Sequence, residues 1–183
     1  MLVGYALFHF AVSGMYCIAP ELIEPTKYFV IDNSNCIFLR LLSIVYLAVA
    51  IYNCGYMRNS EVSRGKLLSY YSMTMIFVLS ITGAILSNNL GLSWVFIEGT
   101  TLASAYLICF NHTKHSIEAA WKYVFICSVG IAFAFAGIVL LLIATDGNLN
   151  FSTLKLDREK LFAVKIALPF LIIEFGTKAG LAP

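Results

Sequence analysis

Hydrophobic residues fall into six long runs divided by short polar stretches, at about 2–19, 36–57, 67–87, 90–110, 121–144 and 161–183. Each run is about 18–24 residues long, which at 1.5 Å per residue is what a helix needs to cross a hydrocarbon layer of roughly 30 Å. Backbone N–H and C=O groups inside lipid must pair within their own segment, and the short alternating pattern of a membrane barrel is missing, so the runs predict α-helices. The expected architecture is all-α: a polytopic membrane protein of about six transmembrane helices, forming a single transmembrane domain over residues 1–183.

The connectors refine this. SNNLG between the third and fourth runs predicts a tight Asn/Gly turn joining antiparallel neighbours. NHTKHSIEA, after the fourth run, is also short. TDGNLNFSTLKLDREK, after the fifth, is longer and mixed in polarity, with a brief surface helix expected near LKLDREK. The opening run, MLVGYALFHFAVSGMYCIAP, has no basic leader, contains His9 and is followed by acidic residues, so it reads as a spanning helix instead of a signal peptide.

Composition supports the membrane reading by exclusion. The chain is 60% hydrophobic and 12% charged, with a mean hydropathy of +0.85, against about 45–50% and about 25% in ordinary soluble domains. A net charge of +2 with basic residues scattered through loops excludes a nucleic-acid partner. Cys17, Cys36, Cys54, Cys109 and Cys127 stand singly, outside any CxxC or Cys/His spacing, so they predict no metal, cofactor or disulfide framework and read as small buried hydrophobes. Loop charges set the orientation: Arg58, Arg64, Lys66 and Lys114 lie on one side, expected to be cytoplasmic, and Lys27, Lys155, Arg158 and Lys160 on the other. Tyr70, Tyr71, Trp94, Trp121 and Tyr123 read as an aromatic belt near the segment ends.

Charges inside the runs carry the functional signal. Glu98 sits well inside the fourth run and is too short to reach the interface. An acid at membrane depth costs roughly 2.5–3.5 kcal/mol on insertion scales and is a functional-site candidate by default. Desolvation disfavours its charged form unless a cation lies nearby, so it is suited to taking up and releasing a proton. Gly99, Thr100, Ala103 and Ser104 around it let a second helix approach and bring a partner charge. In the sixth run Glu174 and Lys178 are four residues apart and share a helix face. Lys178 lies in FGTKAGLAP, where Gly176, Gly180 and Pro183 predict an interruption of the kind that marks ion sites at membrane depth. Arg40 and Lys165 are near segment ends and read as interfacial anchors. His9 reads as a structural hydrogen-bonding residue, Pro169 as a kink, and His112 and His115 as loop histidines able to feed protons to a pathway.

Three strings, SNNLGLSWVFIEGTTLASAYLI, SIEAAWKYVFICSVGIAFAFAG and FGTKAGLAP, resemble the proton-translocating membrane subunits shared by respiratory complex I, Mrp-type cation/proton antiporters and membrane-bound hydrogenases, above all the hydrogenase-4 component F type. The resemblance implies that Glu98 matches the glutamate of the family's fifth helix and Lys178 the lysine of its discontinuous seventh helix. Lys122, in AAWKY, matches a lysine near the same half-channel. It implies a partial inverted-repeat fold in a prokaryotic inner membrane, with no catalytic redox site or cofactor in this chain. The expected partners are other membrane subunits, peripheral redox subunits, the lipid bilayer, and protons or Na+.

The family's pattern continues past GLAP into further helices, so the resemblance implies an N-terminal part of a longer subunit. Glu174 stands where hydrogenase-type relatives favour a small residue, which makes it a competitor of Glu98 for Lys178. The alternatives are an Mrp-type antiporter subunit without a redox partner and a non-conducting structural fragment.

Overall fold

The computed structural model describes residues 2–19, 26–58, 63–153 and 161–180. Among these residues six α-helices follow in order: α1 (Leu2–Ile18), α2 (Asn33–Arg58), α3 (Arg64–Leu86), α4 (Leu90–Ile108), α5 (Lys114–Ala144) and α6 (Leu161–Lys178). A short 3-10 turn, Phe151–Thr153, precedes α6. The surface helix expected near LKLDREK falls outside the described residues. The helices pack as a row of hairpins, α1 on α2, α3 on α4 and α5 on α6, with α4 also against α5.

Among the described residues three helices, α2 to residue 57, α3 and α5, are long and apolar enough to cross a membrane by length and composition, and α1 is apolar but shorter at 17 residues. The two outside that group, α4 and α6, are the helices that carry Glu98 and the Glu174/Lys178 pair. Large apolar side chains such as Phe8, Ile37, Tyr52, Phe125 and Phe162 are exposed on the helix surfaces, where a bilayer supplies the apolar surroundings.

α5 begins seven residues before the start that hydropathy predicts. Thr113 caps it, with the Thr113 and Ser116 side chains each accepting a hydrogen bond from the other's backbone N–H, so two orphan amides of the first turn are satisfied. At 31 residues α5 is about 46 Å long. It therefore extends beyond the hydrocarbon layer, and its polar start, KHSIEAA, forms the overhang.

The connectors at one end of the bundle are tied together. Asn88 N–H donates to the Tyr28 carbonyl at 2.7 Å, Phe151 N–H to the Asn88 carbonyl at 2.8 Å and Leu90 N–H to the Leu149 carbonyl at 3.0 Å. The Asn88 side chain donates to Ser152 Oγ at 2.8 Å and accepts from Ser152 N–H at 3.1 Å. Asn89 caps α4 through Leu92 N–H and donates to Asn150 Oδ1 at 2.8 Å. The expected tight Asn turn is present, and its side chains also hold the neighbouring connectors.

Two apolar clusters form the core. One joins Leu2 and Ala6 of α1, Tyr46 and Ala50 of α2, and Val78 of α3. The other joins Ile138, Leu141 and Ala144 of α5 with Leu149, Val164 and Ala167, and Leu90 and Trp94 pack against it. Trp94 thus lies between helices, its ring 5.9 Å from that of Phe135, and does not stand in an outer belt; Trp121 is exposed.

Cys17 and Cys54 are exposed, contrary to their reading as buried hydrophobes, while Cys36 is buried. His9 links three helices, with Nδ1 at 2.8 Å from Ser43 Oγ and Nε2 at 3.0 Å from Thr82 Oγ1. Arg40 turns inward toward α1. It donates to the Phe10 carbonyl at 2.8 Å, and its guanidinium lies 3.7 Å from the centre of the Phe10 ring. Arg40, expected as an interfacial anchor, is thus held by a neighbouring helix.

Candidate functional site

Glu98 and Lys178 come from different hairpins, and the approach of α4, α5 and α6 decides whether they meet. α6 runs unbroken through Pro169 and Gly176 and ends at Lys178. Beyond it Gly180 takes φ +84°, the left-handed conformation that closes many helices. The expected interruption is therefore a helix end placed directly after the lysine. The residues after Gly180 are outside the described set.

At that end Lys178 Nζ lies 3.5 Å from Glu98 Oε1 and 3.6 Å from Glu174 Oε1. It also donates a hydrogen bond to Thr101 Oγ1. Glu98 and Lys178 are 14% and 18% exposed, and Glu174 is 1% exposed. One ammonium thus sits between two carboxylates at nearly equal distance, in a setting where a charge without a partner costs several kcal/mol. Both oxygens of Glu98 and Oε1 of Glu174 are buried with no hydrogen-bond donor among the described residues.

The third wall is α5. A Cβ built at Gly130 would collide with Glu174 Oε2, so the bare backbone there makes room for the carboxylate. Tyr123, Ile126 and Cys127 of α5 face Glu174, Thr177 and Lys178 across a cleft of about 230 Å³. On the other flank, a Cβ at Gly99 would meet Ser80 Oγ of α3 at 2.7 Å, so α4 is pressed against α3 immediately beside Glu98.

The remaining candidates are distributed differently. Lys122 pairs with Glu118 one turn before it, at 2.6 Å, with both side chains largely exposed, and does not join the cluster. His112 and His115 are exposed at the start of α5, with His112 at φ +50° and its Nδ1 3.9 Å from Cys109 Sγ. Lys165 is exposed on α6. Thr100 and Ser104, singled out as small residues near Glu98, bond back to carbonyls of their own helix.

Two residues at the site were not singled out from sequence. Thr101 follows Glu98 by three positions and so shares its helix face. Gly130 continues the stripe Tyr123, Cys127, Gly130, Ala134, Gly137, Leu141, whose last four members are buried. Among the described residues no group of three or more His, Cys, Asp or Glu could hold a metal ion.

The sequence profile of the NADH:quinone oxidoreductase/Mrp antiporter transmembrane family matches residues 87–183, the stretch that contains every member of this cluster. The chain belongs to that family. Among the family's curated members, the hydrogenase-4 component F homolog of Methylacidiphilum infernorum (isolate V4) is 30% identical over 172 residues, covering 87% of this chain and 36% of the relative. The Na(+)/H(+) antiporter subunit A1 of Staphylococcus aureus (strain bovine RF122 / ET3-1) is 31% identical over 117 residues, covering 63% of this chain and 14% of the relative.

The fold is that of a chain in the membrane-bound sulfane sulfur reductase (MBS), an archaeal respiratory membrane complex. The TM-score is 0.82 at 22% identity, covering 94% of this chain and 37% of that one. This family member therefore spans well under half the length of these relatives. It is a membrane protein with the antiporter-like helical fold.

Proposed function

We propose that this chain is part of a proton-translocating membrane subunit of a hydrogenase-4 or complex I-like redox-driven pump, seated in a prokaryotic inner membrane beside other membrane subunits and peripheral redox subunits. The observation that carries the reading is the position of Lys178 Nζ, 3.5 Å from Glu98 and bridging α6 to α4. While the ammonium is near, the ionised carboxylate is stabilised. If a conformational change driven by partner subunits moves it away, the carboxylate is left uncompensated in apolar surroundings and takes up a proton. Return of the lysine expels that proton. A mobile lysine thus converts mechanical displacement into proton uptake and release.

The test is the assembled complex in sealed membrane vesicles. Glu98→Gln is expected to abolish redox-coupled proton uptake while assembly is retained, and uptake at the wild-type rate refutes the assignment. The similarity to antiporter subunit A1 favours a second reading, an Mrp-type cation/proton antiporter driven by an ion gradient. Proton movement on imposing a Na+ gradient, with no redox substrate present, selects it. Neighbouring genes for hydrogenase large and small subunits select the first.

A further inference from the structure

We propose that Glu98, Glu174 and Lys178 together store one proton, held as a carboxylic acid by the two glutamates, and that Glu174 is the end from which it leaves toward α5. The role in transport rests on the reading above; the presence of the stored proton does not.

The first argument is charge balance. Two carboxylates face one ammonium at 3.5 and 3.6 Å. With all three ionised, one negative charge is left over, and it would be shared with a glutamate that is 1% exposed. The second argument is donor supply. An ionised carboxylate accepts about four hydrogen bonds, yet both oxygens of Glu98 and Oε1 of Glu174 have no protein donor among the described residues. One added proton removes the excess charge and supplies a donor inside the cluster. Two acids in one site take up such a proton jointly.

The surroundings complete the inventory. From α4 come Glu98 and Thr101, and from α6 Lys178. From α5 the titratable groups are Tyr123 and Cys127, which line the cleft, while Gly130 lies against the Glu174 carboxylate. The cleft borders Glu174 and Lys178 and not Glu98, and its size is sufficient for a short file of water molecules. Its position makes Glu174 the outward end.

In the transfer the O–H bond of Glu98 breaks and an O–H bond forms on Glu174. Lys178 stays protonated throughout and shifts its closer contact from Glu174 to Glu98, so that the ammonium always faces whichever glutamate is ionised. The near-equal distances make that shift a movement of a fraction of an ångström.

Infrared difference spectroscopy of the purified complex at neutral pH, wild type against variant, tests this. The wild type is expected to show a protonated-carboxyl stretch that shifts in D2O and disappears in Glu98→Gln and equally in Glu174→Gln, because either change leaves one carboxylate with one ammonium. Glu174→Asp, which keeps an acid, should keep the band. Survival of the band in either glutamine variant overturns the proposal. So does a band that emerges only after Na+ is replaced by choline, since the excess charge would then be balanced by a metal cation. If the band behaves as expected but Glu98→Gln pumps normally, the transport reading fails and the proton store stands.

Discussion

Thr101 accepts a hydrogen bond from the Lys178 ammonium, a contact to the lysine beyond those of the two carboxylates. Hydrogen bonds to charged groups contribute roughly 1.5–3 kcal/mol. Thr101→Val is therefore expected to lower the thermal midpoint of the purified protein by several degrees, at about 2–4 °C per kcal/mol for a chain of this size, and Thr101→Ser to restore most of it. A midpoint unchanged in Thr101→Val would show that the lysine is held by its carboxylates alone.

Glu98, Glu174 and Lys178 stood out in the sequence as candidates because Glu98 lies too deep in its run to reach the interface, unlike Arg40, and the other two share a helix face beside Gly176 and Gly180. Thr101 was hidden because a threonine in such a run is ordinary, and the informative fact is its three-residue spacing from Glu98. Gly130 was hidden for another reason: a glycine reveals nothing about what packs against it until the facing helix is placed. Lys122, carried over by resemblance, has its ion pair within one turn of α5, at Glu118.

Among the elements, α5 shows where hydropathy misplaces a boundary. Its first turns, KHSIEAA, are polar, so an apolar run starts too late, while the Thr113 and Ser116 pair marks the true start by capping chemistry. Removing such a cap costs about 0.5–2 kcal/mol. The double change Thr113→Ala, Ser116→Ala is expected to speed amide hydrogen exchange at residues 115–118 severalfold and to leave the protected stretch around Ala134 unchanged. Uniform acceleration along α5 would mean that the cap stabilises the whole helix instead of its end. α6 is the converse case. Pro169 lacks the N–H that would meet the Lys165 carbonyl, and Gly176 has low helix propensity. The helix nevertheless runs through both, because packing on α5 outweighs those local preferences.

Across the whole molecule, each connector alternates ends as the six runs predict. Lys27 and the Asn88 turn lie at one end, and Arg64, Lys66 and Lys114 begin α3 and α5 at the other. What the runs could not convey is that the other two connectors at the first end are both bonded to the Asn88 turn. Hydropathy treats a loop as a gap, whereas Asn88 and Asn89 hold residues far away in sequence. Asn88→Ala removes both side-chain bonds to Ser152, at 2.8 and 3.1 Å. Unsatisfied groups of this kind cost about 1–3 kcal/mol. The expected result is faster exchange at the Ser152 amide and quicker proteolysis within residues 147–153, with α3 and α4 as protected as before. Loss of protection throughout would make that turn the keystone of the bundle.

The contact between Gly130 and Glu174 has a consequence for how such chains can diverge. The space beside the backbone of α5 is a fixed allotment, filled here by a carboxylate on α6. A relative that acquires a side chain at the position of Gly130 displaces the carboxylate from its present place, so keeping the acid there favours keeping the glycine. The two positions should therefore covary as a pair, exchanging glycine with acid for side chain with small residue, so that a comparison of the two columns alone would tell which relatives carry the second carboxylate.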